Sequence, residues 1–223
     1  MDYIPTLYEN QLAQGGGCSR VEVMRRINRK TNPKVAGGSV QKKNNWIPTA
    51  DYYNSEQKLP IVDRRRPGKG FRHLLKARDI HDFLSILPDW NELSAGLNAI
   101  VLARGSWDAF GYHGRGVVHV CAWDENIWTE LSKEGFEQER DILEKLNVPC
   151  ELFDDRVLCK FTESTARAHQ LLATLLHELG HHHDRMTTRS KLRAGRGESY
   201  AEAYAKAYAD QIWIEYQELF GVF

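Results

Sequence analysis

Apolar and polar positions change their rhythm along this chain, and the changes mark its elements. Ala99-Ile100-Val101-Leu102-Ala103 is a short apolar run that predicts a strand. Phe110-Gly111-Tyr112-His113 and the stretch from Gly116 to Trp123 predict two more, joined by the turn-like Gly114-Arg115. Val157-Leu158-Cys159-Lys160-Phe161 predicts a fourth. From Thr162 the apolar residues recur at helical spacing, and one helix is expected from about Thr162 to Asp184. Thr162 or Ser164 can cap it, and Glu163 suits its positive N-terminal end. Leu192 to Gly197 reads as a loop, with Gly195 and Gly197 flanking Arg196. A second helix is expected from Glu198 to Ala209, and an earlier one, broken by Pro88, from about Ala77 to Leu93. Residues 1–65 contain Gly15-Gly16-Gly17 and few apolar runs. They read as weakly structured, with a short helix near Arg20–Arg29.

The helix after Thr162 has two unlike sides. With His177 at zero on a helical wheel, Ala168, Leu171, Leu172, Leu175, Leu176 and Leu179 fall between about 120° and 260°. Gln170, Ala173, Thr174, His177, His181 and Asp184 lie within about 60° of zero. The polar front carries His177-Glu178-Leu179-Gly180-His181, an H-E-x-x-H motif. Residues i and i+4 lie only ~40° apart around a helix axis and ~6 Å apart along it, so His177 and His181 can present two imidazoles to one metal ion. Glu178 is placed to take a proton from a water at an open metal position. Gly180 lies beside the front and suggests close approach by another backbone. His182 and His183 fall on the leucine side and read as packing residues. Asp184, one turn beyond the motif, is a candidate to hold a ligand imidazole by its other nitrogen.

A hydrolytic zinc site usually has three protein ligands and an open fourth position. On the second helix, Glu198, Glu202, Ala205 and Ala209 share a face within about 40°, while Tyr200, Tyr204 and Tyr208 lie on another. An alanine floor lets this helix pack closely and deliver a carboxylate to the metal. Helix geometry leaves both Glu198 and Glu202 eligible as third ligand. His119 reads as a strand histidine rather than a catalytic one.

The two blocks together resemble the zincin metallopeptidases that use glutamate as third ligand. His177-Glu178-Leu179-Gly180-His181-x-x-Asp184 resembles the anthrax lethal factor type of zinc peptidase. Glu198-x-x-Ala201-Glu202-Ala203-Tyr204 is similar to the downstream block of that type and to the E-x-x-A-N-x-F-A block of repressor-cleaving bacterial and phage peptidases. The resemblance covers about fifty residues. It implies that Glu198 binds zinc and that Glu202 lies behind the ligands, leaving Asp184 with it to orient the histidines. It implies an α+β, zincin-like fold, with a small mixed sheet packed on the H-E-x-x-H helix and a ligand-bearing helix following. An edge strand of that sheet would hold an extended peptide by main-chain hydrogen bonds. The seventeen-residue gap from His181 to Glu198 is shorter than is usual there, and no residue matches the oxyanion-stabilising tyrosine or histidine of those families.

Composition modifies this picture in one respect. The 223 residues, 42% hydrophobic, suffice for one good core, and their formal net charge is zero. Yet residues 1–76 hold 15 Lys+Arg against 6 Asp+Glu, and residues 77–223 hold 15 against 24. The expected division is a basic extension over 1–65 and a zincin-like domain over 66–223. The extension could contact nucleic acid or an acidic partner. Four cysteines without a C-x-x-C pair give no zinc ribbon and no disulfide framework. The N-terminus lacks a signal-peptide pattern, and no apolar run approaches the ~18 residues of a membrane span. A cytoplasmic protein without a membrane partner is expected. The sequence therefore points to a zinc-dependent metallopeptidase acting on a peptide or protein substrate, with His177, His181 and Glu198 holding Zn²⁺ and Glu178 as general base. The alternative is a non-catalytic, zinc-stabilised binding or regulatory module that uses the basic N-terminal part.

Overall fold

The computed structural model describes residues 35–36, 39–40, 52–53, 55–189 and 195–221. The chain divides into two compact units, residues 1–50 and residues 51–223. In the first unit the described residues form a two-stranded antiparallel ladder, β1 (Val35–Ala36) with β2 (Ser39–Val40). The helix expected near Arg20–Arg29 lies outside the described residues.

The second unit is mixed α+β. Its main sheet has the order β3-β5-β7-β6, with β3 (Ile61–Arg64), β5 (Ala99–Ala103), β6 (Gly111–Gly114) and β7 (Val117–Cys121). β3, β5 and β7 are parallel, and β6 runs antiparallel to β7 at one edge. The compact unit thus begins at residue 51, not 66. Ile61 and Val62 pair with Ala99 and Ile100, which draws the end of the expected extension into the sheet. β5 and β7 are buried along their whole length, which explains the unbroken apolar run of β5 and the largely apolar one of β7. On one face Ile100, Leu102, Val118 and Val120 join the main core. On the other, Ala99, Val101, Ala103 and Val117 pack around Tyr52.

Around this sheet lie short elements. β4 (Phe71–Arg72) pairs with β8 (Trp123–Asp124), so the strand expected from Gly116 to Trp123 is split at Ala122 between two ladders. The helix expected from Ala77 to Leu93 is two, α1 (Ala77–Ser85) and α2 (Trp90–Leu93), parted by Pro88 as its missing N–H requires. A third sheet has the order β10-β11-β9, from β9 (Trp128–Ser132), β10 (Cys150–Leu152) and β11 (Arg156–Lys160), all antiparallel. Helix α3 (Lys133–Lys145) packs on it, capped by the Ser132 hydroxyl, which accepts from the Gly135 N–H at 3.0 Å. Cys150 and Cys159 face each other across β10 and β11 with their sulfurs 3.3 Å apart, both as free thiols.

The long helix begins as expected. Thr162 caps it by accepting from the Thr165 N–H at 3.1 Å, and Glu163 in the first turn pairs with Arg72 at 2.6 Å. It is not uniform, however. α4 (Glu163–His169) passes into a π-helical segment, Gln170–Leu175, before α5 (Leu176–Thr187). The leucines at 171, 172, 175, 176 and 179 are buried against the sheet in the main core. After the loop, α6 (Glu198–Gln211) returns along α5, and α7 (Trp213–Phe220) closes the chain. Among the described residues no helix is long and apolar enough to cross a membrane.

Candidate metal centre

α5 and α6 meet over small residues. A Cβ added at Gly180 would lie 2.9 Å from the Cα and 3.2 Å from the carbonyl oxygen of Ala201. Backbone therefore touches backbone here, as the glycine suggested, and the buried face of α6 is Ala201, Ala205 and Ala209. Gly180→Ala gains ~1 kcal/mol of helix propensity but must push the two helices apart. We expect a net loss of ~1–3 kcal/mol in thermal unfolding, together with a displaced Glu198, because α6 carries that residue.

This packing brings three donor atoms together. His177 Nε2 lies 3.1 Å from Glu198 Oε2 and 3.1 Å from His181 Nε2, and His181 Nε2 lies 3.3 Å from the same Glu198 oxygen. Among the described residues these three side chains form the one cluster with metal-ligand spacing. Zinc bonds of about 2.0–2.1 Å at tetrahedral angles require ligand atoms roughly 3.3 Å apart, so this triangle fits the ion. The two histidines are half-buried and the Glu198 carboxylate is exposed, so the triangle opens toward solvent.

The electrostatics match the geometry. Burial lowers the proton affinity of His177, but its hydrogen bond to Glu198 and the nearby Glu178 carboxylate lift it above its usual value overall. Hydrogen bonds from His177 and His181 hold the Glu198 carboxyl far below the usual carboxylate range. Glu178 is different. It is 5% exposed, donates nothing to the donor triangle, and burial pushes its carboxyl up to about 7 against the pull of the two histidines. A cation in the triangle would draw it down again.

Glu178 also sits under the edge of the sheet. A Cβ at Gly111, the first residue of β6, would lie 2.8 Å from the His119 carbonyl oxygen and 3.0 Å from Glu178 Cγ. Only glycine lets the edge strand lie this close on Thr174 and the stem of the Glu178 side chain. β6 bonds to β7 alone among the described strands, so its outer edge has no ladder partner there. The polar front of the helix is thus no solvent face. Gln170 and Thr174 are buried beneath this part of the sheet, and Gln170 Nε2 donates to the Cys121 carbonyl at 2.7 Å.

The other candidate residues fall elsewhere. Asp184 does not hold an imidazole. It is fully buried and accepts from the Arg196 N–H at 2.7 Å, from Arg196 Nε at 3.0 Å and from the Gly197 N–H at 3.2 Å. It is a clasp on the loop just before Glu198. Glu202 does not orient a histidine either; it is exposed on α6, turned away because Ala201 takes the face toward Gly180. His182 meets the loop before β5, with Nε2 3.0 Å from the Ala95 carbonyl, and His183 meets the Tyr200 hydroxyl at 2.6 Å. Both are packing residues, as expected. His119 lies on the sheet face opposite the long helix, stacked on Tyr112 and 2.6 Å from the Tyr53 hydroxyl.

One residue near the site escaped the sequence reading. Glu139 on α3 holds His169 Nε2 at 3.0 Å. Burial raises the Glu139 carboxyl, but the charges of His169 and His177 together bring it below its ordinary value. No motif marks Glu139, because α3 is far from the long helix in sequence and its residues are largely polar. No family model, curated protein or solved structure matches the chain.

Proposed function

We propose that this chain is a zinc-dependent metallopeptidase of the zincin type, using glutamate as its third ligand. The observation that carries the reading is the donor triangle of His177, His181 and Glu198, with sides of 3.1, 3.1 and 3.3 Å, beside a buried carboxylate that takes no part in it. A purely structural zinc site has no need of Glu178. A zinc ion held there supplies a Lewis acid that polarises a carbonyl and makes a water acidic near neutral pH.

The rest is done by the chain. The unpaired outer side of β6 offers main-chain donors and acceptors to an extended peptide and lays its scissile bond over Glu178. Glu178 takes the proton from the attacking water and returns it to the leaving amine nitrogen. Its burial under Gly111 keeps bulk water from competing for that proton. α6, locked against Gly180, fixes Glu198 relative to the two histidines.

The test begins with the metal. Protein expressed with zinc should carry about one zinc per chain and cut some member of a peptide library. A strong chelator should remove both metal and cleavage, and added zinc should restore both. Full cleavage by metal-free protein, or no bound metal by elemental analysis, would refute the assignment. Zinc bound stoichiometrically without cleavage of any peptide would favour the zinc-stabilised module instead.

A further inference from the structure

Beside the start of β6 the structure contains a groove that the chemistry above does not use. It has a volume of about 460 Å³ and lies between β8, β9 and the loop 106–110. Phe71, Trp107, Phe110, Trp123 and Trp128 line it. The groove is built around fixed rings. Phe71 and Trp107 lie 4.5 Å apart, and Phe110 stacks on Trp123 at 5.3 Å. A Cβ at Gly105 would fall 2.1 Å from the Phe71 ring, so the loop can wrap that ring only with glycine there. His169 of the long helix packs edge-on against both Phe110 and Trp123, which ties the groove floor to the helix of the metal centre.

Its charge is of one sign. Asp108, Asp124 and Glu130 line the groove, and no lysine, arginine or histidine does. Glu130 is shared with Arg156 at 3.5 Å. Asp108 and Asp124 have no cationic partner among the described residues. Trp107 is 73% exposed, an unusual position for so large an apolar ring, whereas Trp123 is only 3% exposed. The buried Trp123 indole N–H has no acceptor among the described residues and, as a donor, calls for an acceptor such as a ligand's carbonyl oxygen rather than for a cationic head. Aromatic faces attract cations through their quadrupole, and carboxylates beside them add charge. An apolar stem with a positive head suits such walls.

The position follows from the strand. Phe110 lines the groove, and the next residue, Gly111, starts β6 on top of Glu178. The groove therefore adjoins the first residue of the edge strand, and its floor meets the long helix at His169, about two to three turns before Glu178. A peptide paired with β6 would place every second side chain on one face, ~6.6 Å apart, which is the spacing at which its side chains would reach the groove beside Phe110.

We propose that this groove is a specificity subsite that takes the lysine or arginine side chain of a peptide lying along β6. The inference rests on the peptidase reading for the peptide's path, but its test is a binding measurement that does not need turnover. The probes are alanine-based hexapeptides with acetylated and amidated ends, carrying lysine, norleucine or glutamate at each position in turn. They are titrated into the full, zinc-loaded Glu178→Gln chain, and tryptophan fluorescence is followed. At one position lysine should bind at least tenfold more tightly than norleucine, and glutamate more weakly than both. In the Asp108→Asn, Asp124→Asn double variant the lysine-to-norleucine ratio should fall to within about twofold. Asparagine keeps the Oδ1 that accepts from the Asn126 N–H, so the turn at Asp124 survives. Trp107→Ala should lower the same ratio. Equal binding of lysine and norleucine at all positions overturns the proposal, as does a lysine preference that persists in the double variant. Binding of no peptide overturns it too. If lysine binds as expected but wild type cuts no peptide, the subsite stands and the peptidase reading falls. If wild type cuts peptides without regard to lysine, the reverse holds.

Discussion

Replacing Glu178 by glutamine should lower peptide hydrolysis by at least ~10²-fold while leaving the zinc content unchanged. The amide has the shape of the carboxylate, and Glu178 lies outside the donor triangle, so neither the metal ligands nor the contact with Gly111 is lost. What is lost is proton acceptance, since an amide is no base at any accessible pH. Elemental analysis and cleavage assays on the same preparations separate the possible results. A variant as active as wild type would remove Glu178 from the reaction. A variant without zinc would make Glu178 a ligand and require a different constellation.

The second large effect concerns the third ligand. Glu198→Ala removes one of three donor atoms and should weaken zinc binding by more than the ~10–100-fold that outer supporting groups usually cost. Glu202→Ala should leave affinity nearly unchanged, because that side chain is exposed and away from the histidines. Competition with a chromogenic chelator ranks the two, and the opposite ranking would make Glu202 the ligand. The same titration has a predictable pH dependence. Zinc needs neutral imidazoles, and His177 holds its proton more tightly than a free histidine. Affinity in wild type should therefore fall as pH drops through the His177 range. In Glu198→Ala that dependence should shift to lower pH, because the hydrogen bond that lifts His177 is gone.

Much of this was legible before the fold was known, and the reasons differ by residue. His177, Glu178 and His181 lie within one helical turn, where the 3.6-residue period fixes their relation. Glu198 required a second helix to come back alongside, and periodicity alone could not separate it from Glu202. The choice depends on which alanine meets Gly180, and that is a packing fact. The helical wheel holds across an irregularity that it does not show: Ala168 and the leucines are buried together in the main core although Gln170–Leu175 is π-helical. Asp184 was placed correctly at the polar front, yet its partners come from a loop twelve residues on. The end of the N-terminal extension was misjudged because Ile61–Arg64 is too short and too charged to read as a strand. It becomes one only because β5 offers a parallel partner. Glu139, the groove and the glycine fit at Gly111 are purely tertiary.

The clasp of Asp184 on Arg196 and Gly197 has a thermodynamic consequence. Gathering a carboxylate from seventeen residues beyond His181 costs chain entropy, and in many small zinc proteins the ion itself drives that gathering. Here a buried aspartate does so through three hydrogen bonds made of protein groups alone. The ordering is then part of folding rather than of ion capture. Zinc should exchange into and out of a chain whose secondary structure does not change. Zinc affinity should then follow ligand basicity and desolvation rather than the work of closing a loop.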